Sequence, residues 1–271
     1  MCRIAAYLGP ALPLSRVLYD PPHALERQAY VPNEMLAAHV NVDGTGVAWW
    51  PDGAASGSDP LRYVSERPPW SDPNLPGLAP RIEAAAIVAA VRSATPGVPF
   101  GPGHVAPFVG DGLAFAHNGW LGRFREATGR VLAGRLPDHL HARYDAVNDS
   151  LMLFLTVLKH REAAPESGLG GALRAAVAEA VEVCDADGVE ATLNVVVSDG
   201  ERIVACRASH RMEANNPLYR CQGGERWGSG ALVASEPLDD APWEPILEGT
   251  MVEIEPTGCT VSKLDLGGGD A

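Results

Sequence analysis

The chain is poor in the features that would place it in several large classes. It has five cysteines in 271 residues, at 2, 184, 206, 221 and 259, with no CxxC and no histidine-paired spacing. That argues against a disulfide framework or a zinc site and fits a reducing cytoplasm. Long apolar runs are missing: Ala84–Val91, eight residues, is the longest, against the roughly 18 that a membrane span requires. Basic residues are outnumbered, 21 Lys and Arg against 34 Asp and Glu, a formal charge of −13. Such a surface repels phosphate backbones and anionic lipid heads, so neither nucleic acid nor a membrane is an expected partner. The N-terminal stretch after Arg3 is not expected to be a secretory signal, because Gly9, Pro10 and Pro13 interrupt it and Arg16 follows without a small-residue cleavage site. No repeat or low-complexity segment is present.

What the chain does have is turns. Its 29 glycines and 23 prolines, 52 of 271 residues, are spread along its length and punctuate short apolar runs. Strands are predicted at Ile4–Leu8, Gly46–Trp50, Ala85–Arg92, Leu113–Asn118, Thr192–Ser198, Arg202–Arg207, Ala231–Ser235, Thr250–Ile254 and Thr260–Leu264. Asp199-Gly200 reads as a hairpin turn of the primed type. Apolar residues at three- and four-residue spacing predict helices at Trp120–Leu132, Asn148–Arg161 and Gly171–Cys184, with Leu151, Phe154, Leu155 and Leu158 as one apolar face. Strands, then helices, then strands again argue for an α+β fold with mostly antiparallel sheets. Ser56–Pro80 reads as a surface excursion. Residues 2–265 are expected to form one domain, with 266–271 a flexible tail.

Chemistry is concentrated at element ends. Removal of Met1 would put a thiol and a free α-amine on Cys2, with ordinary pKa values of ~8.5 and ~7.7–8.0, so the amine can take the thiol proton. Arg92 ends a buried strand and offers a fork for a substrate carboxylate. Asn118 and Gly119 end another, where an amide and a backbone N–H could meet an oxyanion. Asp149 opens a helix, where it could grip an ammonium or serve as an N-cap. His117 alternates with Asn118 and reads as structural. His139 and His141 lack a third ligand, so no metal is expected. Cys184, Cys206, Cys221 and Cys259 read as small buried hydrophobes.

Taken together with Met1-Cys2-Arg3, these residues resemble the class II glutamine amidotransferases, the N-terminal-nucleophile hydrolases. Tyr7-Leu8-Gly9, Gln28-Ala29-Tyr30, Asn41-Val42-Asp43-Gly44-Thr45-Gly46-Val47, Ala116-His117-Asn118-Gly119 and Ala234-Ser235-Glu236-Pro237 narrow the resemblance to the branch acting in ergothioneine biosynthesis. It runs from residue 1 to about 265. It implies a four-layer αββα sandwich with two mostly antiparallel sheets between helices, and no cofactor. It also implies hydrolysis of the γ-glutamyl amide of γ-glutamyl-hercynylcysteine S-oxide, a small-molecule substrate. In that scheme Cys2 attacks, Asn118 and Gly119 hold the oxyanion, Arg92 with help from Thr95 binds the α-carboxylate, and Asp149 binds the α-ammonium. Where the family often has Asn-Ala-Asp-Gly-Trp/Phe-Gly, this chain has Val42 and Thr45, so an aromatic at the leaving-group side is absent. Asn41, Asp43, Gly44 and Gly46 read as a strand-edge turn, and Ser235-Glu236-Pro237 borders the site by family likeness alone. Two other functions remain open from sequence: a glutaminase subunit feeding ammonia to a separate synthase, and a silent binding module with Cys2 covered by Met1. Sequence gives no oligomeric state.

Overall fold

The computed structural model describes residues 2–34, 36, 40–93, 101–144 and 148–266. The first part of the chain builds most of one sheet from β1 (Arg3–Pro13), β2 (Thr45–Trp50), β3 (Leu61–Ser65) and β4 (Glu83–Val91). Between these strands lie the short helices α1 (Ser15–Leu18), α2 (Leu25–Tyr30) and α3 (Leu75–Leu78). The chain then crosses to a second sheet, with β5 (Phe108–Gly110), β6 (Leu113–Leu121), β7 (Ala191–Ser198), β8 (Ile203–Arg207) and the two-residue β9 (Ser209–His210). Helices α4 (Gly129–Ala133), α5 (Asp138–His141), α6 (Asp149–Ala163) and α7 (Gly168–Ala186) fall between β6 and β7. β10 (Tyr219–Gln222), β11 (Ala231–Ala234) and β12 (Glu244–Pro245) return to the first sheet, and β13 (Thr250–Glu255) and β14 (Gly258–Lys263) complete the second.

The strand orders are β12-β10-β11-β1-β4-β2-β3 and β14-β13-β8-β7-β6-β5, with β9 beside β7 and every pairing antiparallel. The alternation of β1 and β4 explains the layering. Ile4, Ala6, Leu8, Ala86, Val88 and Ala90 pack in the core shared with the second sheet, whereas Ala5, Tyr7, Ile87, Ala89 and Val91 pack beneath α1 and α2. Helices α6 and α7 cover the outer face of the second sheet, where Phe115 stacks on Phe154 with ring centroids 5.5 Å apart. The molecule is thus an α+β sandwich of four layers, helix, sheet, sheet, helix.

All nine predicted strands form, and several expectations change. β6 continues through Trp120 and Leu121, which pair with Thr192 and Ala191, so the helix expected from Trp120 starts only after Arg123, whose left-handed φ of 48° breaks the strand. A π-helical turn over Phe124–Thr128 leads into α4. Ser56–Pro80 is more than an excursion, since it contains the edge strand β3. The β7–β8 connection is a four-residue loop closing on the Ser198–Ile203 pair, with positive φ at Gly200 alone, so it is not a two-residue primed turn. Asp199 Oδ1 organises it by accepting the N–H groups of Glu201 and Arg202. α6 is buried over all of Met152–Leu158 rather than along one stripe, because α7 and the second sheet enclose it. Cys259 is half-exposed on the edge strand β14, unlike buried Cys184, Cys206 and Cys221. Leu266 packs against the core, and residues 267–271 lie outside the described part.

Candidate active site

One end of the sandwich brings together the start of β1, the end of β4, the end of β6 and the start of α6. Register places the first two. Arg3 pairs with Val91 and Ile4 with Ala90, so the next residues outward, Cys2 and Arg92, are neighbours across the same two strands. Arg92 is buried, and its backbone is held on the other side by the turn before β2: its N–H donates to Gly44 O at 2.8 Å, and its carbonyl accepts the Asp43 N–H at 3.0 Å. Gly44, at φ +140°, lets that turn pass. Asn41, Asp43 and Gly44 therefore form the expected strand-edge turn.

The β6 side is set by a second register. In the β6–β7 ladder Leu193, opposite Gly119, donates its N–H away from β6 to Ala208 O, and Leu121 N–H donates to Asp149 Oδ2 at 3.2 Å. Odd residues at this end of β6 thus turn their backbone polar groups away from β7. Among the described residues β5 pairs only with Leu113–Phe115, so at Gly119 the N–H points to a strand edge with no neighbouring strand. A side chain at 119 would run into the Thr192 carbonyl and the His117 ring, so the position requires glycine.

Asp149 is the first residue of α6 but not its cap. Asn148 is the cap, its Oδ1 accepting from Ser150 N at 2.9 Å and Leu151 N at 3.3 Å. Asp149 Oδ1 accepts from Ser150 N at 2.7 Å. His117 reaches the same spot from β6: its Nε2 donates to Thr192 O at 2.9 Å, which leaves Nδ1 to accept from the Ser150 hydroxyl at 3.0 Å. Burial pulls the His117 pKa down against the opposing pull of the Asp149 charge and the Thr192 carbonyl, so the ring is held neutral.

A narrow cavity of about 40 Å³ lies between these elements, with Cys2, Arg92, Gly119 and Asp149 on its wall together with His104, Phe108 and His117. Four of the six residues expected from sequence thus share one surface. Asn118 lies on the next face of β6, directed between the sheets with Ala114 and Ala116, and among the described residues its buried amide has no hydrogen-bond partner at either atom. Thr95 lies outside the described residues. Sequence reasoning missed His104, Phe108 and the Asn148 cap. An Asn directly before a Leu-rich helix was a readable cap signal, whereas nothing local marks His104 or Phe108. Ser235 and Glu236 are not on the cavity wall; they brace β1 from β11. Ile4 N donates to Ser235 Oγ at 3.0 Å, Ser235 N donates to Ile4 O at 2.9 Å, and Arg3 lies 3.4 Å from Glu236. Among the described residues no cluster of three or more His, Cys, Asp or Glu could hold a metal ion, and no helix is long and apolar enough to cross a membrane.

Comparison with known proteins agrees with this architecture. The family model for class-II glutamine amidotransferases matches residues 26–220. A Mycobacterium tuberculosis protein named gamma-glutamyl-hercynylcysteine sulfoxide hydrolase is 29% identical over 266 residues, covering 98% of this chain and 97% of its own. A protein of the same name from Mycolicibacterium smegmatis is 29% identical over 265 residues, covering 97% and 100%. Among solved structures, a glutamine aminotransferase class-II domain protein from Silicibacter pomeroyi superposes with a TM-score of 0.69 at 25% identity, covering 97% of this chain and 99% of its own. The glutamine phosphoribosylpyrophosphate amidotransferase of B. subtilis shares the fold at a TM-score of 0.66 and 14% identity, this chain spanning 50% of its length.

Proposed function

The chain belongs to the class-II glutamine amidotransferase family, and from that premise we propose that it is an amidohydrolase cleaving a γ-glutamyl amide through Cys2 as N-terminal nucleophile. Its substrate is γ-glutamyl-hercynylcysteine S-oxide, released as glutamate and hercynylcysteine S-oxide. The observation that carries this reading is the shared wall: a thiol, a buried guanidinium, a carboxylate and a strand-edge N–H face one cavity. A free amino-acid head carries a carboxylate and an ammonium, and burying either unpaired is expensive. Arg92 and Asp149 supply the cation and the anion, with Thr95 assisting Arg92.

The steps follow from the groups present. With Met1 removed, the Cys2 amine accepts the thiol proton as sulfur attacks the γ-carbonyl. The Gly119 N–H meets the oxyanion from the cavity wall, and the Asn118 amide, one residue before it and directed between the sheets rather than onto that wall, is the second donor of the reading, each worth ~3–4 kcal/mol in a comparable site. The unpartnered state of the Asn118 amide supports this role, since a buried polar group without a partner calls for an explanation. The amine then returns its proton to the departing nitrogen, and water resolves the glutamyl thioester. A single domain over residues 2–265 in a reducing cytoplasm, without nucleic-acid or membrane partners, fits the unpaired thiol and the charge of −13.

Product analysis tests the reading. The mature chain, beginning at Cys2 by intact mass, is expected to release glutamate from the sulfoxide conjugate at least ~10²-fold faster, in kcat/KM, than from glutamine. Cys2→Ala is expected to abolish both reactions. Equal or greater ammonia release from glutamine would replace the hydrolase with an ammonia-delivering subunit, a reading favoured by the same fold forming half of the B. subtilis amidotransferase. An active enzyme retaining Met1 would overturn the mechanism itself.

A further inference from the structure

Asparagine is a poor strand former, yet one stands fully buried inside β7 and another directly across from it near the end of β6. Asn118 and Asn194 are partners in the β6–β7 register. The odd residues at this end of β6 turn their backbone groups away from β7, so residue 118 forms a hydrogen-bonded pair with residue 194. Their Cα atoms then stand ~5.5 Å apart, with both side chains on the face toward the first sheet. Continued one residue outward, the alternation of β1 puts Cys2 on the side of Ile4 and Ala6, which face the second sheet. Cys2, Asn118 and Asn194 thus border the same space between the sheets.

Two amides at that spacing are within reach of a mutual hydrogen bond, and none forms. Asn194 is turned the other way. Its Nδ2 donates to Asn216 O at 2.9 Å, and its Oδ1 accepts from Asn215 Nδ2 at 2.9 Å. The 215–216 segment is itself fixed: Arg207 donates to Asn216 O through Nε at 3.0 Å and to Asn215 O through Nη2 at 3.1 Å. Asn215 Nδ2 also donates to Ala208 O at 3.0 Å and to Glu248 Oε2 at 3.2 Å. Asn194 is therefore committed to the crossing from β9 to β10. A buried amide left unbonded lowers stability, but its donors stay ready for a charge that develops only in the transition state.

We propose that Asn194 is a positioning residue for the reaction. It fills the space beside Asn118 and, tied to Asn215 and Asn216, offers that side chain no acceptor, so the Asn118 amide remains available to the oxyanion. The inference rests on the oxyanion role of Asn118 in the proposed hydrolysis. It gives a reason for an asparagine in the middle of a buried strand, and it assigns Asn215 a share in catalysis at one remove.

The test is a double-mutant cycle on the mature chain, with Cys2→Ala giving the background rate. Asn194→Ala opens room beside the Asn118 amide for water, and Asn215→Ala frees Asn194 Oδ1 to accept from it. Either competitor must be displaced as the oxyanion forms, so each variant should lose roughly 3- to 10-fold in kcat on a γ-glutamyl amide, with KM within about twofold of the parent. Asn118→Ala should itself lose ~10²–10³-fold in kcat. In that background Asn194→Ala and Asn215→Ala should each change kcat by less than about twofold, because the donor they compete for is gone. If Asn194→Ala does not fold, Asn215→Ala, which leaves both strand asparagines in place, carries the cycle. Losses of the same size with and without the Asn118 amide, losses confined to KM, or no loss in either variant would overturn the proposal and leave Asn194 a tie for the 215–216 segment alone. An unmoved kcat in Asn118→Ala would instead overturn the oxyanion role on which it rests.

Discussion

Asp149 is a side chain for which two roles make different demands. A carboxylate at a helix start can satisfy orphan N–H groups, but here Asn148 does that, and Asp149 Oδ2 reaches across to the Leu121 N–H on β6 instead. That bond aims the carboxylate at the strand edge where Gly119 stands; an asparagine oxygen can accept it, and the Ser150 N–H that Asp149 Oδ1 also holds keeps Asn148 Oδ1 as its acceptor. Asp149→Asn should therefore keep the melting temperature within about 2 °C of the parent while lowering kcat/KM on a γ-glutamyl amide by at least ~10²-fold, about 2.7 kcal/mol of charge-assisted binding. The change should also narrow the rate difference between γ-glutamyl substrates and analogues without the α-amine. An unchanged kcat/KM would assign Asp149 to joining α6 with β6 and nothing more.

The helix pair that covers the second sheet is tied by a charge at its edge. Glu179 of α7 is only 8% exposed and receives Lys159 and His160 from α6, with Arg135 at 3.7 Å. Burial alone would raise its pKa, but the bonds from Lys159 and His160 outweigh it and hold the carboxyl low. Glu179→Gln keeps the shape and removes the charge that Lys159, His160 and Arg135 share, so denaturant unfolding should lose about 1–3 kcal/mol. A loss under about 0.5 kcal/mol would show that apolar contacts alone hold α6 to α7. This pairing was not legible in sequence, because Lys159 and Glu179 are twenty residues apart and meet only through the helix packing. Strands such as Ala85–Arg92 were legible because an unbroken apolar run between turn residues suits a strand with both faces buried. Trp120 and Leu121 were misread, since their spacing to later apolar residues also fits a helix, and only pairing with Thr192 and Ala191 decides. Of the candidate site, the grouping of Cys2, Arg92, Gly119 and Asp149 on one wall was legible because each stands at an element end. The position of His117 on the cavity wall depends on the β6–β7 register and was not.

Over the whole molecule, acid should act in two stages, set by groups that fold in their less protonated forms. Burial holds the His117 pKa below its ordinary 6.5, so between the two values the unfolded chain binds a proton that the folded one refuses. The stability this confers is fully present above 6.5 and is lost as pH falls through the folded value. Glu179 and Glu236 are held below their ordinary 4.5, so their contribution is intact above 4.5 and is lost only as pH falls through their lower folded values. The charge of −13 works the other way, since its self-repulsion eases on acidification. Ionic strength near 0.15 M screens that term to ~8 Å, while a fully buried imidazole is screened far less. Denaturation midpoints at constant ionic strength should therefore fall from pH 7 to pH 5, with a slope of up to about 1.4 kcal/mol per pH unit for one titrating group. In His117→Gln, which still offers a donor to the Thr192 carbonyl, the curve should be flat across that window and should fall only below pH 4.5. A parent protein that gains stability between pH 7 and 5, or a variant that keeps the parent slope, would show that surface charge rather than the buried ring governs this range.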